Sequence, residues 1–461
     1  MEEPERYLLT YDIITSTVKA SIFTENGHLV RSAFRSLPII FAGHWAHQDP
    51  QSWWDGVVTT TREVLEGLDT SRVAAMSFTD QVQVCLCVDA SGRPLTHAIT
   101  WSDTRSLELD EDAIGSALSP EEYYSIAGQP NTPCSSIRKL VWVKEKWPNI
   151  YASTHKMLGC KDYIVLRLTG NYITDYSDAG STGAFDVNSM TWSRKILDAA
   201  GIDDSKLPTA LPSTQIVGEV SPEAARLTGL HPGTPVVNGA GDFTCSAMGA
   251  GAVHEGDVFL NLGSSSWIAM ASADLLTGHG MGIVNCVHAV SGLYVALANM
   301  QEIGVTFKWL KNLLRYDGPP VDSTAPVEPY RNVYPYDGMG KMVLGSPQGA
   351  KGLRYVPYIL GASVTNPDHM ARAAFTGINV EHTAQDFVRA ALEGVSAEMA
   401  RVLKEFRRHY SISKVVATGV ACHEAEWIKI LADAFEAEVV PADSTTTVDS
   451  LGAARIAMAR F

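Results

Sequence analysis

Two stretches of this sequence combine carboxylates, hydroxyls and glycines at spacings that could handle a phosphorylated ligand. In the first, Asp12 closes an apolar run and is followed by Ile14-Thr15-Ser16-Thr17, then by Val18 to Phe23. A turn rich in small and hydroxyl side chains presents backbone N–H groups and hydroxyls to an anion, as phosphate-cradling loops do, although the P-loop spacing is missing. Asp12 stands where a carboxylate could reach a metal-bound water, since Mg²⁺ keeps several waters and takes one or two carboxylates. Lys19 reads first as a solvated strand residue. In the second stretch, Pro235-Val236-Val237 leads through Asn238-Gly239-Ala240-Gly241 to Asp242. Glycines there let a substrate approach the backbone. A carboxylate at the end of a buried strand can take the proton of a hydroxyl that attacks a phosphoryl group. The plainer reading of Asp242 is a cap on a helix over 244–248.

The elements that must hold these residues repeat. Tyr7 to Tyr11 and Val18 to Phe23 read as strands joined by the first turn, and Glu25-Asn26-Gly27 supplies a hairpin turn into His28-Leu29-Val30. A helix follows from Pro50, with Trp53, Val57, Val58, Val64 and Leu65 at helical spacing, and then a strand over 73–78 ending at Thr79-Asp80. The second half has a strand over 258–262, a turn Gly263-Ser264-Ser265 and a returning strand over 267–270. A long helix capped by Thr383 and Asp386 and a strand over 414–417 ending at Thr418-Gly419 complete the copy. Residues 12–20 overlie 261–269 without a gap, and Thr79-Asp80 overlies Thr418-Gly419. Such a duplication argues for two related α/β lobes facing one cleft, against the reading of two ordinary hairpins. The expected boundary lies in the glycine-rich stretch 239–256, with a mobile insertion over 316–352.

Composition narrows the partners. The 461 residues carry 36 Lys+Arg against 51 Asp+Glu, a net charge of −15, which repels nucleic acid and anionic membrane surfaces overall. The acidic N-terminus lacks a signal-peptide pattern, and no apolar stretch reaches membrane-span length. Seven scattered cysteines without a C-x-x-C pair suggest reduced thiols in a cytoplasm, with Cys85 and Cys87 as core residues. The histidines show no zinc spacing, His44 and His47 included.

With these residues in view, the sequence resembles the FGGY family of carbohydrate kinases, most of all its xylulokinase-type members. The likeness runs through Asp12 to Lys19, Gln48-Asp49-Pro50, Trp101-Ser102-Asp103-Thr104-Arg105, Asp162-Tyr163 with Leu168-Thr169-Gly170, and Thr174-Asp175-Tyr176-Ser177. It continues through Gly241-Asp242, Gly263 to Trp267, Glu393-Gly394, Trp427 and Leu451-Gly452-Ala453-Ala454. The resemblance implies an actin-like α/β fold of two RNase-H-like lobes, 1–245 holding the sugar and 246–461 the nucleotide, with ATP and Mg²⁺ as cofactors. It implies Asp242 as catalytic base and Asp12 with Asp242 at the metal. Thr15, Ser16, Thr17, Gly263, Ser264, Ser265, Gly304, Gly419 and Val420 would attend the nucleotide. Val82, Gln83, Trp101, Asp103 and Phe243 would attend the sugar, a ketopentose such as xylulose. Trp101 and Arg105 read equally as packing and an ion pair. A homodimer is a further expectation of the resemblance.

Several residues depart from the family pattern where it places ligands. Ile14 stands for a glycine, Asp80 and Val84 replace glycines, and Gln83 stands where many members have His. Phe243 replaces a small or polar residue, Val305 the second glycine of a pair, and Ala362-Ser363 a common Glu-Arg; Val420, Ala421 and Glu424 fill adenosine-binding positions. If the backbone at Ile14 has φ > 0, a β-branched residue is strained there; if φ is ordinary, its bulk points at the triphosphate. Asp80 adds negative charge where phosphates or sugar hydroxyls should lie. Two readings follow, an active ATP-dependent sugar kinase and a catalytically silent protein that keeps the scaffold for binding or regulation.

Overall fold

The computed structural model describes residues 5–263, 266–278, 281–300, 302–314, 339–361, 364–366, 368, 370–442 and 448–459. Ser264, Ser265, Ala362, Ser363 and most of the expected insertion lie outside the described residues. The chain forms two compact units, one of residues 1–251, 286–293 and 449–461, the other of 252–285 and 294–448. The first unit therefore recovers two later segments, which no single cut near residue 245 includes.

In the first unit, β1 (Tyr7–Ile13), β2 (Thr17–Thr24) and β3 (Leu29–Ser36) form an antiparallel run. α1 (Pro50–Leu65) starts at Asp49, whose side chain accepts from the Gln51 amide at 2.9 Å, with Pro50 needing no donor in the first turn. It buries Trp53, Trp54, Val57, Val64 and Leu65 at three- and four-residue steps. β4 (Val73–Asp80) lies parallel to β1, with Asp12 opposite Thr79. Next come α2 (Ser136–Lys146), α3 (Cys160–Thr169), the short α4 (Tyr176–Ser181), β5 (Ile216–Glu219), β6 (Pro235–Val237) and β7 (Ala240–Gly241). The sheet order is β5-β6-β4-β1-β2-β3, with β7 also paired to β4. Every residue of β1 is buried, so this central strand reads as a mostly apolar run in which Asp12 is the one charged residue. α5 (Asp242–Ala250) begins directly where β7 ends.

The second unit repeats the plan with β8 (Val258–Asn261), β9 (Ser266–Ser272) and β10 (Tyr294–Met300), then α6 (Glu302–Leu313), α7 (Ala384–Phe406), β11 (Lys414–Thr418), α8 (Ala425–Phe435) and β12 (Glu438–Pro441). Its strands follow the order β10-β9-β8-β11-β12. The core of this unit gathers the buried face of α7, including Leu392, Val395, Met399 and Phe406, against β8, β9 and β11. Asp386 accepts from the Thr383 amide at 2.7 Å, as the cap spacing predicts. The chain then ends its described part in α9 (Val448–Met458), which belongs almost wholly to the first unit.

The duplication holds in detail and is corrected in one. Asp12 pairs with Thr79 and Asn261 with Thr418, so the parallel pairs correspond. The hairpins do not overlie without a gap: Asp12 is opposite Lys19, whereas Asn261 is opposite Trp267. The second turn is one residue shorter, so Lys19 corresponds to Trp267 rather than Ile268. In a strand, that one-residue difference decides which face a side chain takes.

Candidate active site

Asp242 is the first residue of α5, immediately after β7. Gly241 N donates to Ser177 Oγ at 3.0 Å, and Ser177 Oγ donates to Asp175 Oδ2 at 2.7 Å, which fixes the strand-to-helix corner. A Cβ on Gly241 would overlap Val82 Cγ1 and lie 3.0 Å from Asp178 Oδ1, so glycine here serves close approach. Asp242 Oδ1 accepts from the Phe243 amide at 2.8 Å. Removal from water pushes the Asp242 carboxyl well above the usual carboxylate range, with Asp449 the strongest neighbouring charge and Asp178 and Asp12 adding to it. A carboxylate so placed is a stronger base than an exposed one. The capping reading is not needed, because Gly241 occupies the cap position without a side-chain bond.

Asp12 and Lys19 face each other across β1 and β2 as an ion pair at 3.1 Å, both buried. Lys19 is thus not a solvated strand residue. Asp12 Oδ1 is buried without a hydrogen-bond partner, a costly state that a bound ligand or ion would relieve. Ile14 does not have positive φ, so the strained alternative falls and only its bulk remains. Thr15 is occupied: its Oγ1 donates to Gln81 Oε1 at 3.2 Å and accepts from Trp101 Nε1 at 2.8 Å, while its carbonyl accepts from Gln48 Nε2 at 2.7 Å. Ser16 is exposed and Thr17 half-buried. These bonds join the first turn to the 81–83 segment and to half-exposed Trp101.

Gln83 has φ of 59°, a left-handed conformation that non-glycine residues rarely take. Beneath it, the buried Lys139 of α2 donates to the carbonyls of Gln83, Thr100 and Cys134 at 2.8, 2.7 and 2.6 Å. Burial lowers the Lys139 ammonium to about 8. Asp103, expected among the sugar contacts, has partners within the fold. It is fully buried, and its oxygens accept from Arg105 Nε and Nη2 at 2.9 and 2.7 Å and from the Ala46 amide at 2.6 Å. Arg105 in turn stacks over Trp45, 4.2 Å from the ring centre. The donors from Arg105 and the Ala46 amide offset the cost of burying the Asp103 carboxylate.

Asp80 is also fully buried, and its Oδ2 accepts from the Lys161 amide at 2.7 Å. Lys161 Nζ lies 3.0, 2.9 and 2.8 Å from carboxylate oxygens of Asp162, Asp175 and Asp178. Burial, then Asp178, drives the Asp80 carboxyl well up, and burial pushes Asp178 up to about 7. Asp80, Asp162 and Asp178 line one pocket with Val82, Gln83 and Ser181.

In the second unit, Gly419 comes directly after β11 and Gly263 two residues past the end of β8, where the parallel register pairs Asn261 with Thr418. Gly419 has φ of 82°, and a Cβ there would sit 2.6 Å from Asn261 Oδ1 and 2.8 Å from the Leu262 carbonyl oxygen. Only glycine fits that turn. Val420 opens a short 3-10 turn to His423, with the Ala421 amide on the Leu262 carbonyl at 3.2 Å. Gly304 is buried in the first turn of α6.

Asp449, beside Asp242, and Lys161, beside Asp178, escaped the sequence reading. Asp449, on α9, accepts from Ser246 Oγ one turn along α5, and burial with the charge of Asp12 pushes it up to about 6. A Cβ on Gly452 would overlap the Cys245 carbonyl, which explains the glycine in Leu451-Gly452-Ala453-Ala454 as a helix contact. Lys161 adjoins the Asp162-Tyr163 motif, a signal that could have drawn attention to it.

The profile of the FGGY family of carbohydrate kinases, N-terminal domain, matches residues 7–249, and that of its C-terminal domain matches residues 306–461. A gluconokinase of Bacillus subtilis (strain 168) is 29% identical over 443 residues, 95% of this chain and 84% of the relative. A xylulose kinase of Staphylococcus epidermidis is 26% identical over 439 residues, 94% of this chain and 84% of the relative. The solved glycerol kinase of Plasmodium falciparum with ADP superposes with a TM-score of 0.86 at 18% identity, covering 99% of this chain and 90% of that one. Among the described residues no helix is long and apolar enough to cross a membrane.

Proposed function

The chain belongs to the FGGY family of carbohydrate kinases, and from that membership we propose that it transfers the γ-phosphate of ATP to a hydroxyl of a small sugar or polyol, a ketopentose such as xylulose. What carries the reading is Asp242, a carboxylate at a strand-to-helix corner with a glycine before it and a pKa raised by burial. Ionised Asp242 takes the proton of the attacking hydroxyl. The Phe243 amide holds one of its oxygens, which leaves the other to face the substrate. Gly241 keeps the backbone clear for the approach, and Val82, Gln83, Trp101 and Phe243 are the proposed sugar contacts.

The family implies Mg²⁺, and the donor set fits it. Asp12 Oδ1 lacks a partner, and no described group of three or more His, Cys, Asp or Glu side chains is spaced to cage a metal directly. That matches an ion held by one or two carboxylates, Asp12 and Asp242, with waters and phosphate oxygens. When bound, it supplies charge neutralisation for the phosphates. Each unit's turn is a proposed phosphate cradle, residues 15–17 in the first and Gly263 with Gly419 and Val420 in the second, and Gly304 is a further nucleotide candidate. In this reading 1–245 serves the sugar and 246–461 the nucleotide.

The silent alternative is favoured by one observation, the Ile14 side chain at the first turn. Purified protein with Mg²⁺-ATP and a panel of pentuloses and polyols, monitored for ADP, separates the two. Sugar-dependent ADP release that falls about 10²–10⁴-fold in Asp242→Ala supports the kinase. Absence of sugar-dependent release together with no shift in melting temperature at millimolar ATP sinks it.

A further inference from the structure

Two buried side-chain amides, Gln48 and Gln81, tie the first turn to the segment that carries Val82 and Gln83. Gln48 closes a short strand, Trp45–Gln48, and Gln81 comes directly after β4. Gln48 Oε1 accepts from Trp53 Nε1 at 3.2 Å and from Gln81 Nε2 at 2.8 Å, while its Nε2 donates to the carbonyls of Thr15 and Pro38 at 2.7 and 3.3 Å. Gln81 Oε1 accepts from Thr15 Oγ1 at 3.2 Å, and Thr15 Oγ1 accepts from Trp101 Nε1 at 2.8 Å. The backbone N–H of Gln81 adds a bond to the Ile13 carbonyl at 3.0 Å.

An indole N–H can only donate. Trp53 at one end and Trp101 at the other therefore set the sense of every bond between them. Turning over either glutamine would set N–H against N–H or oxygen against oxygen in a buried place, at about 1–3 kcal/mol for each group left unpaired. The Thr15 hydroxyl hydrogen is spent on Gln81, so that hydroxyl locks the turn to the 81–83 segment. We propose that Gln81, braced by Gln48, is a positioning residue for phosphoryl transfer. It fixes the sugar-bearing side, Trp101 with Val82 and Gln83, at a set distance from the first phosphate turn, so that the attacking hydroxyl meets the γ-phosphate in line. The inference rests on the kinase reading and deepens it. Both glutamine amides act through other residues, since each is already bonded at its oxygen and its nitrogen. A misplacement of about 1 Å can cost about 10²-fold in rate. Water attacking ATP needs no such wall, so hydrolysis without sugar escapes that loss.

Steady-state kinetics with Mg²⁺-ATP, with and without the panel sugar that releases ADP fastest, separates placement from folding. Gln81→Met keeps the length of the side chain and removes its bonds to Gln48 and Thr15. It should lower the sugar-dependent kcat about 10–10²-fold. Both KM values and the sugar-independent release of ADP should move by less than about threefold. Thr15→Val removes the bond to Gln81 together with that to Trp101 and should lose as much or more. The double variant should then fall no more than about threefold below Thr15→Val, because both changes break one link. A smaller folded fraction lowers sugar-dependent and sugar-independent release alike, and an unchanged ratio of the two overturns the inference while the kinase stands. Unchanged kcat, or losses that multiply in the double variant, also overturn it. Should Gln81→Met fail to fold, the same ratio in Thr15→Val decides. No sugar-dependent ADP release from the wild-type protein overturns the kinase reading, and the inference with it.

Discussion

Lys139 Nζ donates to the backbone carbonyl of Gln83 at 2.8 Å and holds that residue in a left-handed conformation. The same ammonium serves two further carbonyls, so three loops meet on one buried charge. Lys139→Met removes all three bonds and leaves buried acceptors unpaired, at about 1–3 kcal/mol for each. The expected loss is about 3 kcal/mol or more in urea unfolding, with weaker sugar binding in whatever remains folded. A loss below about 1 kcal/mol would show that the carbonyls find other partners.

In the kinase reading only the bulk of Ile14 opposes the nucleotide, because its φ is ordinary. Ile14→Gly should therefore tighten ATP, measured by titration in the presence of Mg²⁺. It should cost about 1 kcal/mol of stability through the freer unfolded chain. Unchanged ATP affinity would show that the side chain does not stand in the nucleotide's way.

Asp178 sets a pH dependence of stability. It is flanked by Lys161, Asp162, Asp175 and Asp80, and burial raises it to about 7 from an unfolded value near 3.8. A carboxyl raised in the folded state contributes stability that is complete below the unfolded value and is lost as pH rises through the folded one. Unfolding free energy should thus climb by on the order of 2 kcal/mol as pH falls from about 8 to about 5, and melting temperature with it. Asp178→Asn should flatten the curve. A wild-type melting temperature that falls steadily over that range contradicts the assignment.

Local pattern carried the fold because the strands, the Asn26-Gly27 turn and the helix stripes are written in neighbouring residues. The Asp12/Thr79 and Asn261/Thr418 correspondence was legible for the same reason. The one-residue slip at the second hairpin was not, since Gly263 to Ser266 offers no apolar marker to fix the register. The Arg105 partner of Asp103 was legible two residues away, whereas its backbone partner, Ala46, lies 57 residues off and left no local trace. Lys139 and Asp449 left no local trace, for their meaning lies in what they touch: carbonyls from three loops in one case, and a serine on a distant helix in the other.

The return of α9 to the first unit also bears on how the protein is made. Ser246 and its partner Asp449 are 203 residues apart in the chain. At ordinary elongation rates the ribosome needs roughly 10–40 s to cover that distance. Throughout that interval the emerged first unit has β1, β4 and α5 but lacks the helix that seats on Cys245. A nascent chain would expose the apolar seat of α9 while the whole second unit is still being synthesised, and a stall anywhere in that span would leave Asp242 without its strongest charged neighbour.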